Sequence, residues 1–267
     1  VRRAVRVLGW LLVATFFAFG LLLLALRYWL LPDIDAMRPR IEGIASSALK
    51  APVTIGRLQA SWHGLNPVLS MDDVKLSGAS GSAVLALPRI EGTLSWTSVP
   101  TLSPRFTRLR IHAPELEVAL LEGGAVSVAG IVIDPREAGG GGNPALDWLL
   151  AQRQLLIRDA RVHLRDLRVV PARDIVFSDA DFLLESGFGT SRFGLRLAPP
   201  PAFAAPVDVR GEFRPPAFGR KSDYRRWSGE VFAQVDYVDL AQLNQWIHAP
   251  IDVHRANGAM RMWIRFD

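Results

Sequence analysis

The residues most able to do chemistry lie between positions 55 and 76, IGRLQASWHGLNPVLSMDDVKL. His63 could serve as a general base or a metal ligand, and Asp72 with Asp73 could supply a pair of carboxylates. Neighbouring residues on a strand point to opposite faces of a sheet, so these two aspartates could not readily hold one ion. A catalytic or metal centre would need His63, Asp72 and Asp73 to converge on one pocket.

The same segment has the pattern of a β-hairpin. Apolar and polar residues alternate up to Trp62, turn-forming residues follow at 63–67, and a second run returns over 68–76. The apolar phase of that run slips where Asp72-Asp73 stands, as a β-bulge would cause. We therefore predict an early hairpin of a sheet, with Trp62 on its apolar side.

No other motif indicates an enzyme, a metal site or a cofactor. The chain has five histidines, none four residues from another, and no cysteine. In GFGTSRFG at 187–194, Arg192 stands where a dinucleotide-binding loop needs its third glycine. The GGGG before Asn143 lacks the Gly-Lys-Ser/Thr of a phosphate-binding loop, and no G-x-S-x-G occurs. We expect no catalytic residues, no metal and no cofactor.

The charge distribution of the chain does not indicate nucleic-acid binding. The net charge is +5, from 31 basic and 26 acidic residues. Arg2, Arg3 and Arg6 supply three of the basic residues before any fold begins, and the remaining excess is spread along the chain. Because a nucleic-acid binder concentrates basic residues on one face, we expect no nucleic-acid partner.

The N-terminal segment has the pattern of a membrane anchor. Residues 7–26 carry no charge, and as a helix they would reach about 30 Å, the thickness of a bilayer's hydrocarbon core. The bulky LRYWLLPDID that follows is unsuited to cleavage of a signal peptide. We predict an uncleaved transmembrane anchor over 1–33, with interfacial residues Arg2, Arg3, Arg6, Trp10, Tyr28 and Trp29.

The arginines before this span predict that the N-terminus stays in the cytoplasm. The bulk of the chain would then lie on the other side of the membrane, which is the periplasm in a Gram-negative bacterium. The protein is accordingly predicted to be a single-pass protein of the bacterial inner membrane.

After the anchor, the hydrophobic period changes from helical to that of strands. We predict a β region over 34–133 that begins with a short amphipathic helix packed on the following sheet. A glycine-rich linker over 134–144 then leads to a continuing β region over 145–267. About ten strands and three short helices give a mainly β protein with minor α content, built as an antiparallel sheet.

Charged and apolar residues alternate along most of these strands. The basic run 106–112 and the acidic run 115–120 could form ion pairs if the two strands are neighbours. Val176 shares its alternation with Phe182, so both are assigned to one apolar face. The residues predicted to line an apolar groove are Trp62, Leu109, Ile111, Val162, Leu164, Phe182, Leu184, Leu195, Leu197, Met262 and Ile264.

An apolar sheet face must be covered. A second sheet would give a sandwich, whereas an open face would form a groove that lipid chains could fill. Periodicity alone does not choose between these covers. The chain ends at Asp267 inside a strand pattern, so we expect it to be the N-terminal part of a longer protein whose remaining C-terminal part continues the sheet.

Several stretches resemble a known family. PDIDAMRPRIEGIASSALKAPVTIGRLQASWHGLNPVLSMDDVKL and LRIHAPELEVALLEGGAVSVAGI resemble the N-terminal part of the AsmA-like envelope proteins. LLIRDARVHLRDL, GLRLAPP, WSGEVFAQVDYVDLAQLNQWI and MRMWIRF further resemble the YhdP branch of that group. The resemblance runs along nearly the whole chain.

The resemblance implies a twisted, taco-shaped β-sheet with a U-shaped apolar groove and a few short covering helices, anchored in the inner membrane. It also implies transport of phospholipid between inner and outer membranes in support of the outer-membrane permeability barrier. The expected partners are the inner membrane, phospholipid acyl chains and an outer-membrane or periplasmic protein. The alternative is a structural or assembly factor for outer-membrane proteins, an anchored β-sandwich that carries no lipid.

Overall fold

The computed structural model describes residues 2–25, 27–28, 34–49, 52–77, 83–98, 105–128, 131–133, 144–216, 220–221, 223, 226–240 and 256–267. The linker predicted over 134–144 falls almost entirely outside the described residues, as does the predicted interfacial Trp29.

Three α-helices are described: α1 (Arg2–Ala25), α2 (Arg38–Leu49) and α3 (Pro144–Ala151). A 3-10 turn, Ile34–Met37, leads directly into α2, and a second one covers Glu122–Gly124. Among the described residues, no helix is both long and apolar enough to cross a membrane. The anchor over 1–33 therefore stays a prediction.

The mainly β prediction is confirmed, because all thirteen strands of the described residues join one sheet. The strands are β1 (Val53–His63), β2 (Asn66–Ser77), β3 (Ala83–Leu94), β4 (Phe106–His112), β5 (Glu115–Leu120), β6 (Val126–Val128), β7 (Ile131–Ile133), β8 (Gln154–Asp166), β9 (Arg173–Ser186), β10 (Ser191–Ala198), β11 (Val207–Arg214), β12 (Ser228–Asp239) and β13 (Asn257–Phe266).

The sheet is mixed, so the prediction of an antiparallel sheet was wrong at one junction. β1 to β3 continue into β4 and β5, which lie end to end along β8, and both run parallel to β8. From β8 to β13 each strand pairs antiparallel with the next. β6 and β7 extend from β5 as a hairpin. Two antiparallel halves are thus joined by the parallel pairing of β4 and β5 with β8, which needs the long crossover that contains α3.

The end-to-end arrangement of β4 and β5 also changes the predicted ion pairs. The basic residues of β4 and the acidic residues of β5 are not on neighbouring strands, so they do not pair with each other. Instead Glu115 contacts Arg161 (3.4 Å) and Glu117 contacts Arg165 (3.2 Å), both on β8. The physical reason is that Ala113-Pro114 continues the strand with a kink, where a hairpin would have turned it back.

Residues with positive φ mark the places where the alternation of side chains slips. Asp73, Ala113, Asp159 and Asp179 all have φ between 47° and 55°. Asp159 and Asp179 stand at register shifts between β8 and β9, so these two are bulges. The bulge predicted at Asp72-Asp73 was wrong: Asp72 pairs with Arg57 and Arg89, Val74 pairs with Ile55 and Leu87, and the register is unbroken between them. The bulge at Asp179 reverses the side of Val176, which pairs with His163 and lies on the polar face.

Side chains from the helical segment cover the free edge of β1. The N–H of Val53 donates to Ser46 Oγ (2.9 Å), that of Ile55 to Glu42 Oε1 (2.6 Å), and that of Leu58 to Asp35 Oδ1 (3.3 Å). The unpaired N–H groups of an edge strand invite association with other strands. The predicted packing of the amphipathic helix on the sheet is therefore confirmed, and it protects an edge.

The buried core lies where α2 and α3 meet the sheet. Leu150 is buried with Phe106 and Leu155, and Trp148 contacts the Phe106 ring edge-on at 6.2 Å. Gln152, also buried, accepts from the N–H of Phe106 (2.8 Å) and donates to the carbonyl of Trp148 (2.6 Å). α3 is thereby fixed over the start of β4.

Candidate functional site

One face of the sheet is apolar across its whole width. A row of cross-strand partners crosses ten strands without a polar residue: Leu58, Met71, Ile90, Ile111, Ile157, Phe182, Leu195, Val209, Ala233 and Met262. The adjacent row is apolar as well: Ala60, Leu69, Gly92, Leu109, Leu155, Leu184, Phe193, Gly211, Val231 and Ile264. These two rows define what we call the apolar face.

The opposite, polar face is charged across the same strands. Its partners in the corresponding row are Arg57, Asp72, Arg89, His112, Arg158, Asp181, Arg196, Asp208, Gln234 and Arg261. Charges of opposite sign are mostly neighbours there, as in the contact of Arg158 with Asp181 (3.1 Å). The adjacent row of this face is mixed, because from β8 to β13 it holds Leu156, Leu183, Gly194, Arg210, Phe232 and Trp263. The opposite face is therefore charged in one row and mixed in the next, whereas both rows of the apolar face are free of polar residues.

The structure brings all eleven predicted groove residues to the apolar face. Ile111, Phe182, Leu195 and Met262 stand in the first row, and Leu109, Leu184 and Ile264 in the second. The remaining four have apolar partners on the same face: Val162 with Leu116 and Phe177, Leu164 with Val118 and Ile175, Leu197 with Val207, and Trp62 with Pro67.

Burial divides this face into a closed part and an open part. Leu109 and Leu184 are buried in the core beside α3. Leu195 and Leu197 on β10 are half-buried. On β13, Met262 is 41% exposed and Ile264 is 45% exposed. The apolar surface is thus increasingly free toward β13, and no second sheet lies on it in the described part of the chain.

Two glycines shape the apolar face through neighbouring aromatic rings. The Phe106 ring lies over Gly92, and the Phe193 ring lies over Gly211. A side chain at either glycine would collide with the ring, so glycine is what allows the aromatic surface to lie flat on the sheet. Sequence reasoning missed these residues because the contact depends on cross-strand register, which no local pattern encodes.

The residues that could do chemistry are dispersed. His63 is exposed and pairs with Asn66 at the hairpin end, whereas Asp72 pairs with Arg57 and Arg89 in mid-strand. His112 and His163 lie on the polar face. No group of three histidine, aspartate or glutamate residues suited to a metal occurs among the described residues; His248 and His254 lie outside them.

Among the described residues, one carboxyl group has a strongly lowered pKa, and its surroundings point to a structural role. Asp166 ends β8 with its side chain fully buried, and Arg168 donates to both of its carboxylate oxygens (2.8 and 2.9 Å). The hydrogen bond from the Arg168 side chain lowers the pKa of Asp166 to about 2, against the opposing effect of burial. The pair closes the turn between β8 and β9, because the Arg168 N–H also donates to Asp166 (3.0 Å).

The predicted interfacial residues lie along and just after α1. Arg3, Arg6, Trp10 and Tyr28 are exposed. The side chain of Arg2 is outside the described residues. Phe19 of α1 contacts Trp96, which follows β3, with ring centroids 5.3 Å apart.

The sequence matches a protein-family model. The family model described as YhdP protein matches residues 1–267, the full length of the chain. No curated protein matches the sequence.

Proposed function

The chain belongs to the YhdP protein family, and on this premise we propose that it carries phospholipid along its apolar face between the inner and outer membranes. The face would take up acyl chains while the head groups remain in water. By this transport the protein would support the permeability barrier of the outer membrane. The chain would act as a passive conduit, without a catalytic residue or a cofactor.

The observation that carries the proposal is the pair of uninterrupted apolar rows. At about 4.8 Å between strands, a row across ten strands is about 43 Å long. Removing apolar surface from water contributes about 25 cal/mol per Å², or about 0.8 kcal/mol per buried methylene. An acyl chain can therefore be held along the open part of the rows, toward β13, without a specific polar contact, which suits a ligand that must move.

The anchor is the second part of the proposal. Residues 7–26 are uncharged, and α1 covers most of them with 24 residues, a length of about 36 Å. Large apolar side chains of α1, among them Leu12, Phe16 and Leu21, are exposed, which suits a lipid environment. The side chain of Leu8 and all of Leu26 belong to the same uncharged run and lie outside the described residues.

Charge placed on the apolar face tests this proposal. The variant carries glutamate at Val162, Phe182, Leu195 and Ile264. The matched control carries glutamate at a directly adjacent residue of each strand, on the polar face: His163, Leu183, Gly194 and Trp263. We expect a photoactivatable phospholipid to label the control as it labels the unmodified chain, and to label the variant far less, while circular dichroism shows both to be folded.

The competing role is that of an assembly factor whose apolar face is only a folding core. In that case the fourfold variant would unfold, and single substitutions of the less buried Leu195 and Ile264 would fold and still take up the lipid label. That combination would contradict lipid carriage on this face.

A further inference from the structure

Three turns are among the strand connections at one end of the sheet, called here the proximal end; the β11–β12 connection lies at this end too. They join β1 to β2, β3 to β4, and β9 to β10. The register places them together, since Leu155 near the start of β8 pairs with Leu109 near the start of β4 and with Leu184 near the end of β9. At about 4.8 Å between strands, the three turns cover about 24 Å.

Each of these turns carries a large apolar residue. Leu65 stands in the first turn and is exposed, Trp96 follows β3 in the second, and Phe188 is fully exposed in the third. Turns in contact with water are normally built from small and polar residues. A line of large apolar side chains at one end of a sheet marks a surface that is shielded from water in the functioning protein.

The helix α1 reaches this same end. The ring of Phe19 meets the ring of Trp96 edge-on, with centroids 5.3 Å apart. Phe19 lies six residues before Ala25, the last residue of α1, which is about 9 Å along the helix. Anything that surrounds this part of α1 therefore also surrounds Trp96.

The backbone around Trp96 is suited to an apolar environment. Ser95 N–H donates to the carbonyl of Arg105 (2.9 Å), and Ser98 N–H donates to the carbonyl of Ser95 (2.9 Å). The Ser98 hydroxyl donates to the carbonyl of Arg105 (3.0 Å) and accepts from its N–H (3.0 Å). Polar groups that enter hydrocarbon must be satisfied internally, and these groups are.

Basic side chains stand just behind the apolar residues. Arg105 precedes β4 and Arg153 precedes β8, and both are exposed. The carbonyl of Phe106 accepts from Arg153 N–H (3.2 Å), which keeps the two strand starts together. If the apolar turns entered a membrane, these two cations at the same end of the sheet would meet the anionic head groups of the membrane surface.

We propose that the proximal end is seated in the membrane that α1 enters, with Leu65, Trp96 and Phe188 among the acyl chains of the near leaflet. The inference rests on the proposed anchor and deepens the proposed function. Leu94 and Phe106, partners on the apolar face, directly flank the Trp96 turn. Acyl chains in the leaflet would thus meet the apolar face without crossing water.

The chain has no cysteine, so single cysteines can carry a label. The test uses the full chain in vesicles of phosphatidylethanolamine and phosphatidylglycerol, with an NBD label at Leu65→Cys, Trp96→Cys or Phe188→Cys and doxyl-lipid quenchers. The matched control is Val170→Cys, a fully exposed apolar residue in the turn between β8 and β9 at the opposite end. Phe17→Cys reports on α1 itself.

We expect blue-shifted emission and strong doxyl quenching at 65, 96 and 188, as at 17, and neither at 170. Leu65 and Phe188 are exposed tips, so their replacement leaves the sheet intact even if Trp96→Cys disturbs its turn. If 65 and 188 behave like 170 while 17 is quenched, the anchor stands and the seated end is refuted. If 17 is unquenched too, the proposed anchor fails and the inference fails with it.

Discussion

The exposed part of the apolar face on β13 offers the most quantitative prediction. Met262 and Ile264 are 41% and 45% exposed, and complete burial of such side chains is worth about 1.5–3 kcal/mol. Covering only the exposed part with an acyl chain should therefore contribute about 1 kcal/mol at each residue. Replacing both with glutamate should weaken binding of a fluorescent acyl-chain phospholipid by about 2 kcal/mol, or about 30-fold in Kd.

The same strand supplies a matched control. Ala259 and Trp263 lie on the polar face of β13 and are exposed, so glutamate at both adds the same charge to the same strand. Titration of the labelled phospholipid, followed by fluorescence anisotropy, should give an unchanged Kd for this control. If both double variants weaken binding equally, net charge accounts for the effect and the reasoning about the apolar face is refuted.

Three further predictions concern stability, measured by urea unfolding. The pKa of Asp166 falls from 3.8 in the unfolded chain to about 2 in the folded protein. The contribution of its carboxylate to the free energy of unfolding is therefore complete above about pH 4. It is lost as the pH falls toward 2, by about 2 kcal/mol in all; a pH slope unchanged in Asp166→Asn would contradict this. A Cβ at Gly92 would lie 2.5 Å from the Phe106 ring, so Gly92→Ala should cost about 1–3 kcal/mol. Gly194→Ala, with no atom within 4 Å of its Cβ, should change stability by less than about 0.5 kcal/mol, and equal losses would exclude the ring contact as the cause. Ala113 has φ 47°, so Ala113→Gly should stabilise the protein by about 1 kcal/mol. Ala160→Gly, at a buried strand position, should not stabilise it. A loss of stability in both variants would refute strain at Ala113.

The alternation of residue types predicted the apolar face well. A strand reverses the direction of its side chains at every residue, so the relative side of residues within one strand follows from the sequence. All eleven proposed groove residues accordingly share one face, although they come from strands far apart in the chain. The slip of the alternation at Asp72-Asp73 was visible because two charged residues stand together there, but the unbroken register shows that it is not a bulge.

What the sequence did not reveal depends on contacts between distant strands. The bulge at Asp179 moved Val176 to the polar face, because one residue of slip reverses every side chain beyond it. The parallel pairing of β5 with β8 could not be predicted either. Glu115 would have a basic partner if β5 lay beside β4, and it also has one beside β8, where it contacts Arg161. The Phe19–Trp96 contact joins a helix to a turn 77 residues away, and neither segment's periodicity refers to the other.

Site-specific photo-crosslinking in living bacteria tests the central claim most directly. Benzoylphenylalanine would replace Leu195 on the apolar face or, as the control, Arg196 on the polar face of the same strand. After illumination, mass spectrometry of the purified chain should find phospholipid adducts at 195 and none at 196. Adducts only with protein at 195, or phospholipid in equal amounts at both positions, would contradict carriage of lipid on the apolar face.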